Sequence, residues 1–199
     1  MTVDPKRVFD VAVSGVGLVL ASPVLAGVAV AVRLDSRGPA FFRQERVGRN
    51  GELFRIHKFR SLRTDMPGAL ISPTHDPRIT RVGAVLRRTK LDELPQLLDV
   101  LAGHMSLVGP RPEVPRYVEL WPAAERELIL SVRPGITDPA SVALRNEAEE
   151  LAGAEDPEQH YVSVLLPRKV AMYADYVRSR NFLGDLGIIA STLRTVLRD

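Results

Sequence analysis

The 199-residue chain contains no cysteine, which removes thiol nucleophiles, disulfides and cysteine-bound zinc or iron–sulfur clusters at one stroke. Histidine is scarce. His57, His75, His104 and His160 are scattered, without the i, i+4 spacing that lets two imidazoles on one helix share a metal, so a histidine-bound zinc enzyme is disfavoured. No Gly-x-x-x-x-Gly-Lys-Ser/Thr and no Gly-x-Gly-x-x-Gly occurs, which leaves out the standard P-loop and dinucleotide sites. No Gly-x-Ser-x-Gly supports a serine hydrolase, and no internal repeat or low-complexity tract is visible. Lysine is rare, 4 against 23 arginines; genomic base composition accounts for that bias as well as a use of guanidinium forks on phosphate does.

What is present is ordinary in amount and uneven in place. With 45% hydrophobic and 26% charged residues the chain suits one compact domain rather than disorder. Residues 33–90 hold 14 Lys and Arg against 5 Asp and Glu, whereas residues 91–199 hold 11 against 17. The positive part follows directly on the most hydrophobic part, so an anionic partner is expected there.

That hydrophobic part is Val11 to Val32, 22 residues without a charge. As a helix it is about 33 Å long, roughly one hydrocarbon core. Four readings compete: a cleaved signal peptide, a straight transmembrane anchor, a buried core helix, and a helix that enters the bilayer and turns back. Lys6 and Arg7 precede the run, and Arg33, Arg37, Arg43, Arg46 and Arg49 follow it. Positive residues on both flanks favour the cytoplasmic side for both ends, which a re-entrant hairpin satisfies. Ser22-Pro23 sits near the middle, where proline removes a donor and frees the carbonyl of Val19; the Ser22 hydroxyl can offset that loss.

Downstream, residues 41–59 read as two extended runs around Arg49-Asn50-Gly51, a tight hairpin turn. Residues 62–80 read as a loop with a turn at His75-Asp76-Pro77. Helices are expected at about Arg81–Thr89 and Leu91–Ala102, the second with Leu94, Leu97, Leu98 and Leu101 on one face. Leu107–Pro115 and Arg133-Pro134-Gly135 are breaks without regular structure, and Tyr117–Val132 between them reads as helix. Residues 145–160 are acidic and expected to be solvated. Two helices close the chain, Leu165–Arg180 and Leu183–Leu197. The apolar stripe of the last, Leu183, Leu186, Ile189, Leu193, Val196 and Leu197, is expected on the core, with Arg194 and Arg198 free for headgroups.

Chemistry concentrates at Leu91-Asp92-Glu93-Leu94-Pro95-Gln96. Pro95 belongs in a first helical turn, so Asp92 and Glu93 lie at a helix N-terminus, where they act either as caps or as a paired-carboxylate site. Arg87, Arg88 and Lys90 lie just upstream, and Arg111 is held between Pro110 and Pro112. Arginines converging on two carboxylates suit phosphate handled through a divalent cation, since Mg²⁺ accepts one or two carboxylates and completes its shell with phosphate and water.

Eight ordered motifs resemble the bacterial sugar transferases, the monotopic phosphoglycosyl transferases. They are Lys6-Arg7-x-x-Asp10, Ser22-Pro23, Phe42-Arg43-Gln44-x-Arg46-x-Gly48, Lys58-Phe59-Arg60-Ser61, Asp76-x-Arg78-Ile79-Thr80, Leu91 to Gln96, Met105 to Pro112, and Pro134-Gly135-Ile136-Thr137. The resemblance implies transfer of a sugar 1-phosphate from a UDP-sugar to polyprenyl (undecaprenyl) phosphate with release of UMP, the step that initiates glycoconjugate or polysaccharide assembly. It further implies Asp92 as the nucleophile that forms an aspartyl-phosphosugar intermediate, and Glu93 as a ligand of Mg²⁺. Arg87 and Arg111 match phosphate-binding arginines, and Ser22-Pro23 the bend of a re-entrant membrane helix. His104 stands where the family usually has Asp, Asp99 where it has Asn, and Asp138-Pro139-Ala140-Ser141 where hexose-specific relatives have a Gly-Trp form.

The expected architecture is α+β: a mostly helical single domain with an N-terminal re-entrant membrane helix (residues 1–36), then a cytoplasmic membrane-interface catalytic domain (residues 37–199) with a short β-hairpin and interfacial amphipathic helices. The resemblance is to a minimal catalytic core at the cytoplasmic face of the bacterial inner membrane. The expected partners are a UDP-sugar, polyprenyl phosphate and membrane lipids, with no nucleic acid; a homodimer is compatible. Two other classes stay in view: a non-catalytic membrane-bound scaffold or lipid-binding regulator in which Asp92 and Glu93 merely cap a helix, and a secreted protein with a cleaved leader.

Overall fold

The computed structural model describes residues 4–66, 68 and 70–198, with side chains through Thr195. Its longest element is α1, Pro5–Asp35, about 46 Å of helix. The Asp4 carboxylate caps it by accepting from the Lys6 N–H at 3.0 Å, and Pro5 occupies the first turn, where its missing donor costs nothing. The helix runs on through Pro23, and Ser22 Oγ donates to Val19 O at 2.8 Å, the carbonyl that the proline deprives of its partner.

Both ends of α1 are fastened to the rest of the chain. Near the start, Lys6 Nζ lies 2.5 Å from Asp185, and the buried Asp10 carboxylate accepts from Ser106 Oγ at 2.6 Å and Leu107 N at 3.3 Å. At the other end, Arg60 Nη2 donates to Val32 O and Asp35 accepts from Val82 N. Between them Leu18, Leu25, Val28 and Ala29 pack inward, while Val16, Val19, Leu20, Val24, Val30 and Leu34 are 50% to 83% exposed. The buried-core reading of this segment therefore fails, because one whole face of an apolar helix is left open.

Strands β1 (Phe41–Val47) and β2 (Leu53–Phe59) pair antiparallel from Phe41 opposite Phe59 to Val47 opposite Leu53. Asn50 and Gly51 in the turn take φ of 56° and 81°, the left-handed geometry expected of Asn-Gly. The loop that follows is closed by a bridge between Leu62 and Ile79 and pinned by Asp76, which accepts from the backbone and guanidinium of Arg78. Those bonds outweigh burial and hold the Asp76 carboxyl down at about 2. A depressed folded-state value gives stability that is present above pH 3.8 and lost as pH falls toward 2. Accordingly, the stability advantage of the wild type over Asp76→Asn in thermal unfolding should be full at pH 5 and vanish by about pH 2.

Thr80 then caps α2 (Arg81–Thr89) through the Gly83 N–H, and Lys90 in the left-handed region turns the chain. The expected single helix Leu91–Ala102 is in fact a 3-10 turn, Leu91–Gln96, followed by α3, Leu97–Ala102. Pro95 cannot donate into an α-helical ladder, and the tighter turn rotates the face that points inward. As a result Asp92, Pro95, Gln96, Asp99 and Val100 are buried with Leu97, whereas Leu98 and Leu101 of the expected leucine face are exposed.

A second correction concerns the two expected breaks. They contain β3 (Ser106–Val108) and β4 (Gly135–Thr137), a parallel pair aligned Ser106 with Gly135 and Val108 with Thr137. Three-residue strands are too short for any periodicity to show, and their partners lie 29 residues apart. The crossing is so close that a Cβ on Gly135 would stand 2.1 Å from Gly109 N, and one on Gly109 2.4 Å from Arg133 O. Only glycine fits at either position.

The expected helix Tyr117–Val132 is likewise two, α4 (Pro115–Val118) and α5 (Ala123–Leu130), interrupted at Trp121-Pro122. Next come α6 (Pro139–Ala143), α7 (Glu147–Ala152) and α8 (Pro157–His160). The acidic stretch 145–160 is mostly solvated, yet Leu151 is buried and Glu147 pairs with the buried Lys169 at 2.9 Å. A π-type turn at Tyr161–Leu165 leads into α9 (Leu166–Ser179), and α10 (Phe182–Arg198) ends the chain. The main core gathers Tyr117, Trp121, Ile129, Tyr161, Leu165 and Tyr173. The α10 stripe does not all face that core. Asp185 is pulled inward by Lys6 and by the Tyr176 hydroxyl at 2.8 Å, Ile188 and Ile189 follow it, and Leu183 and Leu193 are left exposed. The side chains of Val196, Leu197 and Arg198 lie outside the described residues.

Candidate active site

Strand alternation aims Lys58 of β2 at the 3-10 turn, where its Nζ stands 2.9 Å from Asp92 Oδ2 and 3.1 Å from Glu93 Oε1. Arg111 reaches the same dyad from the proline-bracketed segment after β3, which Gly135 N anchors by donating to Pro110 O at 2.9 Å. Its guanidinium forks onto Glu93, Nη1 to Oε2 at 3.1 Å and Nη2 to Oε1 at 2.5 Å. Three of the expected residues, Asp92, Glu93 and Arg111, thus meet.

Asp92 is 1% exposed. Burial by itself would raise the Glu93 carboxyl, but the positive charges of Arg111 and Lys58 outweigh it and hold the group well below the ordinary glutamate range. In return Glu93 holds the Arg111 guanidinium well above its usual value, against the opposing effect of burial. At neutral pH Glu93 is therefore a fixed anion locked between two fixed cations.

The Asp92 carboxyl differs in one respect. Oδ2 faces Lys58, but Oδ1 is buried with no hydrogen-bond partner, and so are both amide atoms of Gln96, four residues on. Leaving a buried polar atom unpaired costs about 1–3 kcal/mol, and proteins keep such atoms where something else completes them. The Glu93 carboxylate beside that unpaired Asp92 oxygen offers oxygen donors of the kind a hard cation prefers. Among the described residues no group of three or more acidic or histidine side chains converges. Two carboxylates completed by substrate and water are what Mg²⁺ accepts, so the residues present fit that ion.

Arg87 is not brought onto the dyad. Its Nη1 donates to Ser72 Oγ at 3.2 Å and its Nη2 to Ser72 O at 3.0 Å, so it ties the end of α2 to the loop; among the described residues no carboxylate neutralises it. Lys58 and Gln96 were not singled out as site residues by the sequence. Lys58 opens one of the motifs that carry the resemblance, but its role depends on which residue of β2 faces the turn. Two of the three departures from the family pattern stay off the dyad: His104 stacks on Phe54 with ring centroids 5.5 Å apart, and Asp99 accepts from the His57 N–H at 2.8 Å and faces its Nδ1 at 2.7 Å. Asp99 thereby fixes the strand beside Lys58.

The dyad also abuts the apolar helix. Leu91, directly before Asp92, packs in one cluster with Leu25, Val28, Ala29 and Val32 of α1, together with Phe59 and Leu86.

Comparison with known proteins points the same way. The family model described as bacterial sugar transferase matches residues 2–199. An undecaprenyl-phosphate glucose phosphotransferase of Komagataeibacter xylinus is 40% identical over 197 residues, covering 95% of this chain and 35% of that protein. The exopolysaccharide production protein PSS of Rhizobium leguminosarum bv. phaseoli is 39% identical over 94% of this chain and 92% of its own length. A UDP-glucose:undecaprenyl-phosphate glucose-1-phosphate transferase of Caulobacter vibrioides is 39% identical over 96% of this chain and 69% of its own. The chain thus spans about a third of the Komagataeibacter relative and nearly all of the Rhizobium one.

Proposed function

The chain belongs to the bacterial sugar transferase family, and on that premise we propose that it moves a sugar 1-phosphate from a UDP-sugar to polyprenyl phosphate and releases UMP. The observation that carries this reading is the buried Asp92, with one carboxyl oxygen free and the other on Lys58, next to a Glu93–Arg111 pair on the face where an apolar helix docks.

Asp92 Oδ1 attacks the β-phosphorus of the UDP-sugar, the phosphoanhydride P–O bond breaks, and the oxygen leaves with UMP. The sugar phosphate is then an acyl phosphate on Asp92. A phosphate oxygen of the polyprenyl phosphate attacks the same phosphorus, the P–O bond to Asp92 breaks, and the carboxylate is restored. Attack by a carboxylate on a diphosphate is slow in water because both are anionic; Lys58 and Arg111 oppose that repulsion in a site that excludes water. Mg²⁺, with Glu93 as its protein ligand, would neutralise diphosphate charge. Arg87, unpaired by any carboxylate among the described residues, is the further phosphate-binding cation of this reading.

The way α1 is fastened supports a monotopic membrane arrangement. A straight span would carry one of its ends to the far side, yet Lys6 and Asp10 at one end and Val32 and Asp35 at the other hold the same domain. A monotopic helix, entering from the cytoplasmic face and turning near Ser22-Pro23, keeps both attachments and buries the open apolar face in lipid. Because the chain lacks native cysteine, Asp4→Cys and Arg37→Cys can be labelled separately by an impermeant maleimide. Both are expected to react only from the cytoplasmic side in inverted and right-side-out vesicles; periplasmic labelling of either one rejects the monotopic arrangement.

The reaction is tested on the purified full chain with polyprenyl phosphate and a panel of UDP-sugars, reading UMP release. Turnover with at least one sugar, abolished by EDTA and restored by Mg²⁺, is expected. A scaffold with a capped helix gives no metal-dependent UMP at all.

A further inference from the structure

A cavity of about 130 Å³ lies beneath the N-terminal end of α1, and none of Lys58, Asp92, Glu93 and Arg111 lines it. Its walls carry Arg7, Arg49, Arg133 and Arg180, brought together from α1, the hairpin turn, the segment before β4 and the end of α9. Nothing in the reaction proposed for the dyad uses them.

The four guanidiniums are held by neutral groups or by nothing. Arg7 donates to the carbonyls of Leu101 and Met105, Arg49 to Ser131 O at 3.1 Å and Arg133 to Gly103 O at 2.8 Å, while Arg180 has no hydrogen-bond or ion-pair partner among the described residues. The two acidic groups at the cavity, Asp4 and Asp10, are outnumbered by its cations, and their hydrogen bonds go to neutral donors. Asp10 is taken by Ser106 and Leu107 N, and Asp4 caps α1; Lys6, the fifth cation, is neutralised by Asp185. Burial, the largest effect, and the nearby charge of Arg133 both lower the Arg7 guanidinium, against a smaller opposing effect of Asp10.

Carbonyl-anchored guanidiniums keep donors free on one side of the fork, and four of them around a small polar space suit a tetrahedral oxyanion. The surroundings place such an anion at a polar–apolar border. Phe9 and Phe182 meet edge to face at 5.3 Å beside the cavity's elements, Leu183 is 77% exposed, and the open face of α1 begins at Val8. We infer that this cavity is a second anion site, separate from the dyad, which takes the phosphate group of a phosphomonoester or phosphodiester. A phospholipid headgroup and a soluble phosphate share that chemistry, and the probes below separate them.

The full chain in a neutral detergent is treated with phenylglyoxal, and modification is quantified at each arginine by peptide mass mapping. The probes are inorganic phosphate, dihexanoyl phosphatidylglycerol below its micelle concentration, and chloride at matched ionic strength. Slower modification of Arg49 and Arg180 by about tenfold with a phosphate-bearing probe, and none with chloride, is the expected result. Protection by both probes assigns the site to the phosphate group itself, and protection by the lipid alone assigns it to a headgroup. In Arg133→Gln the phosphate concentration giving half protection of Arg49 should rise about tenfold. Should that variant fold poorly, Arg180→Gln, which breaks no bond, is read at Arg49 instead. Equal modification under all three conditions overturns the inference. UMP release, measured in parallel, keeps this outcome apart from the dyad: protection without turnover retains the anion site and rejects the proposed reaction, and turnover without protection does the reverse.

Discussion

Asp92→Asn is expected to abolish two things together: the mass of one sugar phosphate on the peptide containing residue 92, and release of UMP. The adduct experiment leaves out the lipid, so that protein, UDP-sugar and Mg²⁺ stop at the covalent stage. Asparagine matches aspartate in size and keeps the 3-10 turn, but its amide is no nucleophile toward phosphorus. The loss in turnover should be at least about 10³-fold, some 4 kcal/mol on the barrier. Glu93→Gln is expected to behave differently. It leaves the Asp92 oxygen in place but strips the Arg111 fork and the Lys58 ammonium of a fixed anion, so it should slow both half-reactions and raise the Mg²⁺ concentration needed. A direct one-step transfer, with the dyad only holding metal, predicts no adduct in the wild type. Near wild-type UMP release from Asp92→Asn makes Asp92 a helix cap.

The parts of this fold legible in the sequence are those specified locally. The Asn-Gly turn, the helix Arg81–Thr89 and the uncharged run each carry their cause within a few residues, and the elements stand where expected. The Ser22 hydroxyl also sits on the carbonyl that Pro23 frees. What was not legible depends on distant partners. β3 and β4 are three residues each and exist only because Gly109 and Gly135 let two backbones cross. Lys58 looked like one basic residue among many in a positive segment; the register of β2 against the 3-10 turn makes it the cation shared by both carboxylates. Arg87 shows the opposite case, a sequence neighbour of the dyad whose nearest hydrogen-bond partner is Ser72. The exposure of Leu98, Leu101, Leu183 and Leu193 shows that an apolar stripe does not by itself fix the inward face; the polar anchors Asp99 and Asp185 decide which side of each helix turns inward.

Arg60→Met should produce the largest loss of stability, and with it loss of activity at a distance. Arg60 is 1% exposed, and its guanidinium closes the C-terminal end of α1: Nε donates to Pro39 O at 2.7 Å, Nη1 to Ser36 Oγ at 2.5 Å, and Nη2 to Ser36 O at 2.8 Å and Val32 O at 3.2 Å. Val32 O also accepts from the Ser36 N–H at 3.4 Å, so Arg60 is its second donor, and a cation at that end answers the helix dipole. Methionine keeps much of the apolar stem and loses every one of these bonds, four at once, at a largely buried joint. Hydrogen bonds to a charged group contribute about 1.5–3 kcal/mol each and are not additive, so a total loss of about 3–5 kcal/mol is expected. For a chain of this size that is a fall of about 10 °C in the Tm of the detergent-solubilised protein. Arg60→Lys should recover part of it, since an ammonium can serve one or two of the carbonyls but not the full fork. The effect reaches the dyad because Val32, at the end that Arg60 holds, shares its cluster with Phe59, Leu86 and Leu91, and Leu91 precedes Asp92. Loosening α1 there should lower UMP release even at temperatures where the protein stays folded. A Tm within 2 °C of wild type, with unchanged turnover, would show that the end of α1 is held by apolar packing alone and that the arginine adds nothing to it.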